Sequence, residues 1–341
     1  MQKLNTADTL ELYTFCQRIA RSAGAIILQG SKSILEQKGQ LGSANEKKNA
    51  VDLVTEWDVK VEDFVKQQIK ENYPSFMFIG EESYSAGDQS PITDGPTFCV
   101  DPIGMFFDLP GHSFILSFYF LDGTTNFVHG FPYACISIGV IYEKSPLIGV
   151  VYNPFLDQLY HGLKGHGSYL VSPLHPSPLR LPLSNPAPLR TLSEAQIAVE
   201  WGSDRSKEVM EAKARTYARL AGDGSIKGGV EGGKMVHSLR SLGSAALNFA
   251  YVASGGIDIY WEIGCWPWDV CAGVVIAQEA GGFVSGSSKV PLTGVVDEQI
   301  LTGRKYIVIR AIADTLEETG PETQKRVIKE FYETVEEWAP N

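Results

Sequence analysis

The chain has no excess of positive charge. Its 341 residues carry 29 Lys and Arg against 40 Asp and Glu, a net charge of −11 with no long block of one sign. A nucleic-acid partner would require a basic face, so that class is excluded. No Cys-x-x-Cys spacing occurs: Cys16, Cys99, Cys135, Cys265 and Cys271 are scattered and odd in number. They read as buried thiols in a reducing compartment rather than a disulfide framework or zinc site. No long apolar run is present either. The most apolar stretch, Phe114 to Leu121, falls far short of the roughly 20 residues a membrane-spanning helix needs. The N-terminal residues are polar and show no secretory leader. Internal repeats are absent. These exclusions leave a cytoplasmic enzyme with no membrane partner. A hydrophobic content of 44% supports a sizeable core, in one large domain or two fused halves.

What is present is a set of acids at the ends of apolar segments. Leu12, Phe15, Cys16, Ile19, Ala23, Ile26 and Ile27 recur at helical spacing, predicting a helix over 9–29 opened by Asp8 and Glu11. Gly39 to Asn49 reads as a polar loop with Lys47 and Lys48 at its end. Thr55 is placed to cap a second helix, with apolar positions Val61, Phe64, Val65 and Ile69 and a stop at Pro74. Asp58 is then either a first-turn acid favoured by the helix dipole or an acceptor in a site. Phe76 to Ile79 is a short strand followed by Gly80-Glu81-Glu82-Ser83, and Thr97 to Ile103 a second strand carrying Asp101-Pro102-Ile103. Acids at strand ends are the donors that hard cations take.

Further on stands Leu121-Asp122-Gly123-Thr124-Thr125-Asn126, a carboxylate beside free amides and hydroxyls. That combination suits a metal ion holding a phosphate. Tyr133–Glu143, Leu147–Tyr152 and Gln158–Tyr160 read as an antiparallel meander, with Gly162–Gly167 a turn and His161 and His166 loop residues. Six prolines between 171 and 190 forbid regular structure and mark a boundary between two halves, 1–183 and 184–341. Ile197–Trp201 is a strand, Asp204–Leu220 a helix, and Ala221–Lys234, with six glycines, a loop. Small residues Ser244 to Ala246 open another helix, Ile257–Glu262 is an alternating strand, and Trp268-Asp269 begins a helix that runs to Ala280. Lys305–Ile312 is a last strand and 322–338 a last helix. Strands alternating with helices around a meander imply a layered α/β (α+β) architecture.

Gly80-Glu81-Glu82-Ser83, Asp101-Pro102-Ile103, Asp122-Gly123-Thr124-Thr125-Asn126 and Trp268-Asp269 together make the chain resemble the inositol monophosphatase family over roughly residues 10–285. The resemblance implies a layered α-β-α-β-α sandwich, Mg²⁺ dependence, lithium sensitivity, a small phosphorylated polyol as substrate and a homodimer. By the same resemblance Glu81 and Asp101 hold a first metal ion, with a backbone carbonyl from Ile103 or Leu121. Asp101, Asp122 and Asp269 hold a second. Thr124, oriented by Asp58, acts with Glu81 on the attacking water. The amides of Gly123 and Thr124 face the phosphate, and Ala245 and Glu262 touch the polyol. Enzymes acting on nucleotide or sugar bisphosphates are the alternative within the class.

The family's signature is an uninterrupted Asp-Pro-Ile-Asp-Gly-Thr-Thr-Asn. Here residues 104–121 separate Ile103 from Asp122. Three readings of that insert are open: an unspliced intron carried into the protein, a lid over the substrate, or a disordered loop. Under the first, the full-length chain is a catalytically impaired member of the family or a scaffold.

Overall fold

A computed structural model describes residues 4–38, 46–88, 90–103, 124–202 and 204–340, with the backbone alone at 37–38, 46–55 and 124. The chain opens with two long helices, α1 (Thr6–Lys38) and α2 (Glu46–Asn72). It continues through β1 (Met77–Gly80), a one-turn helix α3 (Glu81–Ser85) and β2 (Thr97–Asp101). Helix α4 (Thr124–His129) precedes the meander β3 (Ile136–Tyr142), β4 (Ser145–Asn153), β5 (Gln158–Leu163), β6 (Gly167–Val171) and β7 (Leu179–Arg180). The rest comprises β8 (Gln196–Val199), α5 (Lys207–Ala221), β9 (Ser238–Arg240), α6 (Ala245–Ser254) and β10 (Ile259–Ile263). It ends with α7 (Pro267–Glu279), β11 (Phe283–Ser285), α8 (Glu298–Thr302), β12 (Lys305–Ile309) and α9 (Gly320–Thr334).

The strands form two sheets. The first runs β1 to β7 in sequence order; the second is ordered β11-β12-β10-β8-β9. Successive residues of a strand point to opposite faces, and the cores follow that rule. Leu12, Ile19 and Ile27 of α1 and Val61 and Val65 of α2 pack with Phe98, Val100, Ile136 and Ile138 on one face of the first sheet. Its other face, at Cys99, Val151 and Tyr160, meets Leu247 and Ala250 of α6 and Val274 of α7. Tyr260 and Val308 of the second sheet close the far side of that middle layer. Ile259, Trp261 and Ile307, pointing the other way, pack on Leu220, Val327 and Phe331 of the outer helices. The layers therefore alternate α-β-α-β-α, as the family resemblance implies. Each fully buried aliphatic side chain in these cores contributes about 1.5–3 kcal/mol.

Two glycines set the central packing. A Cβ on Gly139 would lie 2.5 Å from Cys271 Sγ, and one on Gly149 would collide with the Ala272 carbonyl. Their bare backbones let α7, whose first turn carries Asp269, press onto the sheet. All five cysteines are buried and none is in a disulfide, as expected.

Several expectations change. Helix α1 extends well beyond 9–29. The loop expected over Gly39–Asn49 is helix from Glu46 on, where α2 begins and takes in Lys47 and Lys48; residues 39–45 lie outside the described residues. Thr55 is therefore mid-helix and caps nothing, and Asp58 is not a first-turn acid. His161 is not a loop residue: it is buried in β5, where its Nδ1 hydrogen-bonds the Tyr13 hydroxyl of α1. The proline-rich stretch holds one short strand, β7. The insert at 104–121, together with Asp122 and Gly123, lies outside the described residues.

Candidate active site

Strands β1 and β2 are parallel and pair Gly80 with Val100. The next residue of each, Glu81 and Asp101, therefore emerges side by side at the carboxyl ends of neighbouring strands. Asp101 in turn pairs with Ser137 of β3. The Ser137 hydroxyl donates to the Trp268 carbonyl at 3.1 Å, which pins the first turn of α7, and with it Asp269, beside Asp101. Asp58 arrives from the middle of α2. Glu81, Asp101, Asp269 and Asp58 are all buried.

Their environment is hostile to negative charge. Burial pushes the Glu81 carboxyl well above the usual carboxylate range, and the neighbouring Asp101, Asp269, Asp58 and Glu82 push it further. Burial, then Glu82, Asp101 and Glu62, raise Asp58 in the same way. Glu82 is pushed up to about 7 by burial, Glu62 and Asp101. Among the described residues, neither carboxylate oxygen of Asp58 or of Glu81 has a hydrogen-bond partner. Buried acids without donors are costly unless a cation or a proton joins them. The donor set therefore fits a hard metal ion. Among the described residues no group of three or more His, Cys, Asp or Glu side chains is placed to hold a metal ion by itself; the remaining acid of the motif, Asp122, stands outside them.

One oxygen of Asp269 is committed: its Oδ2 accepts the Trp266 amide at 2.6 Å, closing the N-terminus of α7. Aromatic rings brace this turn. Trp266 stacks on Trp268 at 5.3 Å, Tyr84 of α3 touches both, and the Arg304 guanidinium covers Trp266 at 3.8 Å. Thr124 is the first residue of α4. Two residues on, Asn126 donates to the carbonyls of Tyr133, Leu242 and Gly243, which fastens α4 to the turn before α6. Ile103 is fully buried in the core that also holds Phe127 and Val128 of α4.

The two residues expected at the polyol sit in a second cluster. Ala245 is the first residue of α6, behind the Ser244 cap. Glu262 projects from β10, where the Tyr260 hydroxyl donates to its Oε2. Burial, then the nearby Glu200, raises the Glu262 carboxyl to about 8. Glu200 accepts from the Ser241 hydroxyl, the amides of Leu242 and Gly243, and Asn248 Nδ2, at 2.8–3.1 Å. It thereby fixes the turn that leads to Ala245.

Sequence reasoning missed Glu62 and Glu200; Glu82 and Asn126 stand in the quoted motifs, but Asn126 is given no role of its own there. Glu62 was detectable, since it lies four residues after Asp58 and so on the same face of α2. Glu200 acts through contacts some forty residues away in sequence, which leave no local pattern.

Comparison with known proteins places these residues in context. The model of the inositol monophosphatase family matches residues 8–104 and 121–336 and passes over those between. Protein qutG of Emericella nidulans is 38% identical over 331 residues, covering 95% of this chain and 93% of that protein. Inositol monophosphatase 2 of Saccharomyces cerevisiae is 41% identical over 293 residues, 85% of each chain. Among solved structures, inositol monophosphatase II from Staphylococcus aureus superposes with a TM-score of 0.61 at 28% identity, covering 88% of this chain and 91% of that one.

Proposed function

The chain belongs to the inositol monophosphatase family, phosphatases that hydrolyse phosphate monoesters, and from that premise we propose a Mg²⁺-dependent enzyme acting on inositol monophosphate or a similar small phosphate ester. One observation supports the metal dependence: Glu81, Asp101 and Asp269 stand buried at the ends of β1, β2 and α7, close enough that Asp101 and Asp269 raise the Glu81 carboxyl, and neither oxygen of Glu81 has a partner among the described residues. Mg²⁺ held there would neutralise phosphate charge and acidify a bound water. The residues that would hold it are Glu81, Asp101, Asp122 and Asp269, with the Ile103 carbonyl. Glu81 would accept the proton of the attacking water together with Thr124, and Asp58 would orient the Thr124 hydroxyl. The amides of Gly123 and Thr124 would bind the phosphate oxygens. Phosphate release from inositol 1-phosphate, a sugar phosphate and a nucleotide bisphosphate, with Mg²⁺ titrated, tests the reading. Release from none of them would overturn it.

Thr124→Ala is expected to lower kcat about 10²-fold or more, the usual scale of acid–base assistance, with KM nearly unchanged. A raised KM with intact kcat would make Thr124 a substrate-binding residue instead.

Glu262 is the proposed contact to the polyol, beside Ala245. Burial holds it protonated at neutral pH, so it would both donate to and accept from a hydroxyl. A buried acid whose folded pKa is raised stabilises the fold below its unfolded value and loses that contribution as pH climbs to the folded one. For Glu262 the window runs from the ordinary 4.5 up to about 8. The melting temperature of the metal-free protein should therefore fall between pH 5.5 and 8.5, on the order of 5 °C from this group. Glu262→Gln, which keeps an acceptor for the Tyr260 hydroxyl, should remove that part of the slope. An identical slope in wild type and variant would contradict the assignment.

The family reading also extends to inhibition by Li⁺, a cytoplasmic location and a homodimer, the last checked by sedimentation. No helix among the described residues is long and apolar enough to cross a membrane.

A further inference from the structure

Helix α3 is a single turn carrying Glu81 and has no local cap. Gly80 occupies the N-cap position and offers no side chain to the free amides that follow. A helix start leaves those amides without partners unless something else accepts from them. The acceptor here comes from α2. Glu62 Oε2 accepts the Glu82 amide at 2.8 Å, and its Oε1 accepts the Ser83 amide at 2.8 Å and the Ser83 hydroxyl at 2.5 Å. Lys66, one turn further along α2, donates to the same Ser83 hydroxyl at 2.9 Å. Both oxygens of a buried carboxylate are thus spent on two consecutive residues next to Glu81. The fit requires Gly80: a Cβ there would lie 2.7 Å from Glu62 Oε2.

We propose that Glu62 is a positioning residue for the metal site, a cap supplied from α2 that fixes the one-turn helix α3 and so aims the Glu81 carboxylate at Asp101. Resting on the metal reading above, this gives α2 two tasks on one face. Asp58 enters the acid cluster, and Glu62, four residues later, holds the backbone from which Glu81 projects. Without the cap, α3 retains only the Gly80–Ala86 segment's own turn hydrogen bonds, and Glu81 loses its fixed direction. Held acids bind metal more tightly than loosely held ones, and losing such outer support costs about 10- to 100-fold in metal affinity.

Direct titration of the full chain with Mn²⁺, followed by electron paramagnetic resonance, tests the role without relying on turnover. Glu62→Gln places an amide NH₂ where one acceptor oxygen stood. It is expected to weaken Mn²⁺ binding roughly 10-fold, while excess Mg²⁺ restores kcat with KM for the phosphate ester unchanged. Wild-type Mn²⁺ affinity in Glu62→Gln, with only a lowered melting temperature, would make Glu62 purely structural and overturn the proposal. Should that variant not fold, Ser83→Ala removes only the hydroxyl contact and should weaken Mn²⁺ binding roughly 2-fold or more, the scale of one lost hydrogen bond; unchanged affinity there also overturns it. Absence of Mn²⁺ binding from both the full-length chain and the form lacking residues 104–121 would overturn the metal site itself, and this role with it.

Discussion

Removing residues 104–121 is expected to raise kcat/KM by about 10²-fold or more and to make the protein more soluble. The rate estimate follows from geometry, since misplacing a catalytic group by about 1 Å costs that much, and the proposed metal set spans the insert, with Asp101 before it and Asp122 after it. The two flanks already belong together: Ile103 shares a core with Phe127 and Val128 of α4, as it would if they were joined directly. The family match stops at residue 104 and resumes at 121. The eighteen residues correspond to 54 nucleotides, a length that keeps the reading frame. Gly104-Met105 can be written GGT ATG, which holds an intron donor after one exon base. Leu121-Asp122 can be written TTA GAY, which holds a TAG acceptor. Joining G to AY restores the Asp codon directly after Ile103 and yields Asp-Pro-Ile-Asp-Gly-Thr-Thr-Asn. We propose on these grounds that the insert is an unspliced intron. It also carries Phe106, Phe107, Leu109, Phe114, Ile115, Leu116, Phe118, Tyr119 and Phe120, a density of apolar residues that promotes self-association wherever it is exposed. Transcript sequencing should find the spliced form. A full-length chain equal to the deletion form in kcat/KM and solubility, with no spliced transcript, would make the insert a working part of the protein.

Asp269→Asn, in whichever form is active, should cut kcat by about 10³-fold or more. A metal ion's charge stabilisation is worth several kcal/mol, and each 1.36 kcal/mol is about a factor of ten. The fold should survive, because an Asn oxygen can still accept the Trp266 amide that Asp269 Oδ2 now holds. The loss should then appear at unchanged melting temperature and be sharpest at limiting Mg²⁺. Near wild-type activity at limiting Mg²⁺ would remove Asp269 from the metal set.

The layered architecture was legible because its buried faces are periodic. The stripe on α1 and the alternation of Ile259, Tyr260 and Trp261 on β10 mark which side chains are buried. The acids were legible because each stands at the end of an apolar segment: Glu81 after β1, Asp101 closing β2, Asp269 opening α7. Elements defined by a distant partner were not. Strands β6, β7, β9 and β11 are short and exist through the strand they pair with. Helix α2 begins in a polar stretch whose composition resembles a loop, so Thr55 looked like a cap. Gly162 looked like the start of a turn, yet it lies in β5, paired with Ser168 of β6. The supports of the site, Glu62 under Glu81 and Glu200 under the turn before Ala245, act across 20 and more residues. The spacing from Asp58 puts Glu62 on the right face of α2 but does not name its partner in α3, and no local spacing marks Glu200 at all.

The most direct test of a metal-dependent phosphatase interrupted by its insert is phosphate release from inositol 1-phosphate by the full-length and 104–121-deleted forms, assayed side by side with Mg²⁺ and with a chelator. Release should be strong in the deleted form, weak in the full-length form, and lost from both on chelation. Release that is indifferent to the chelator, or absent from the deleted form, would contradict it.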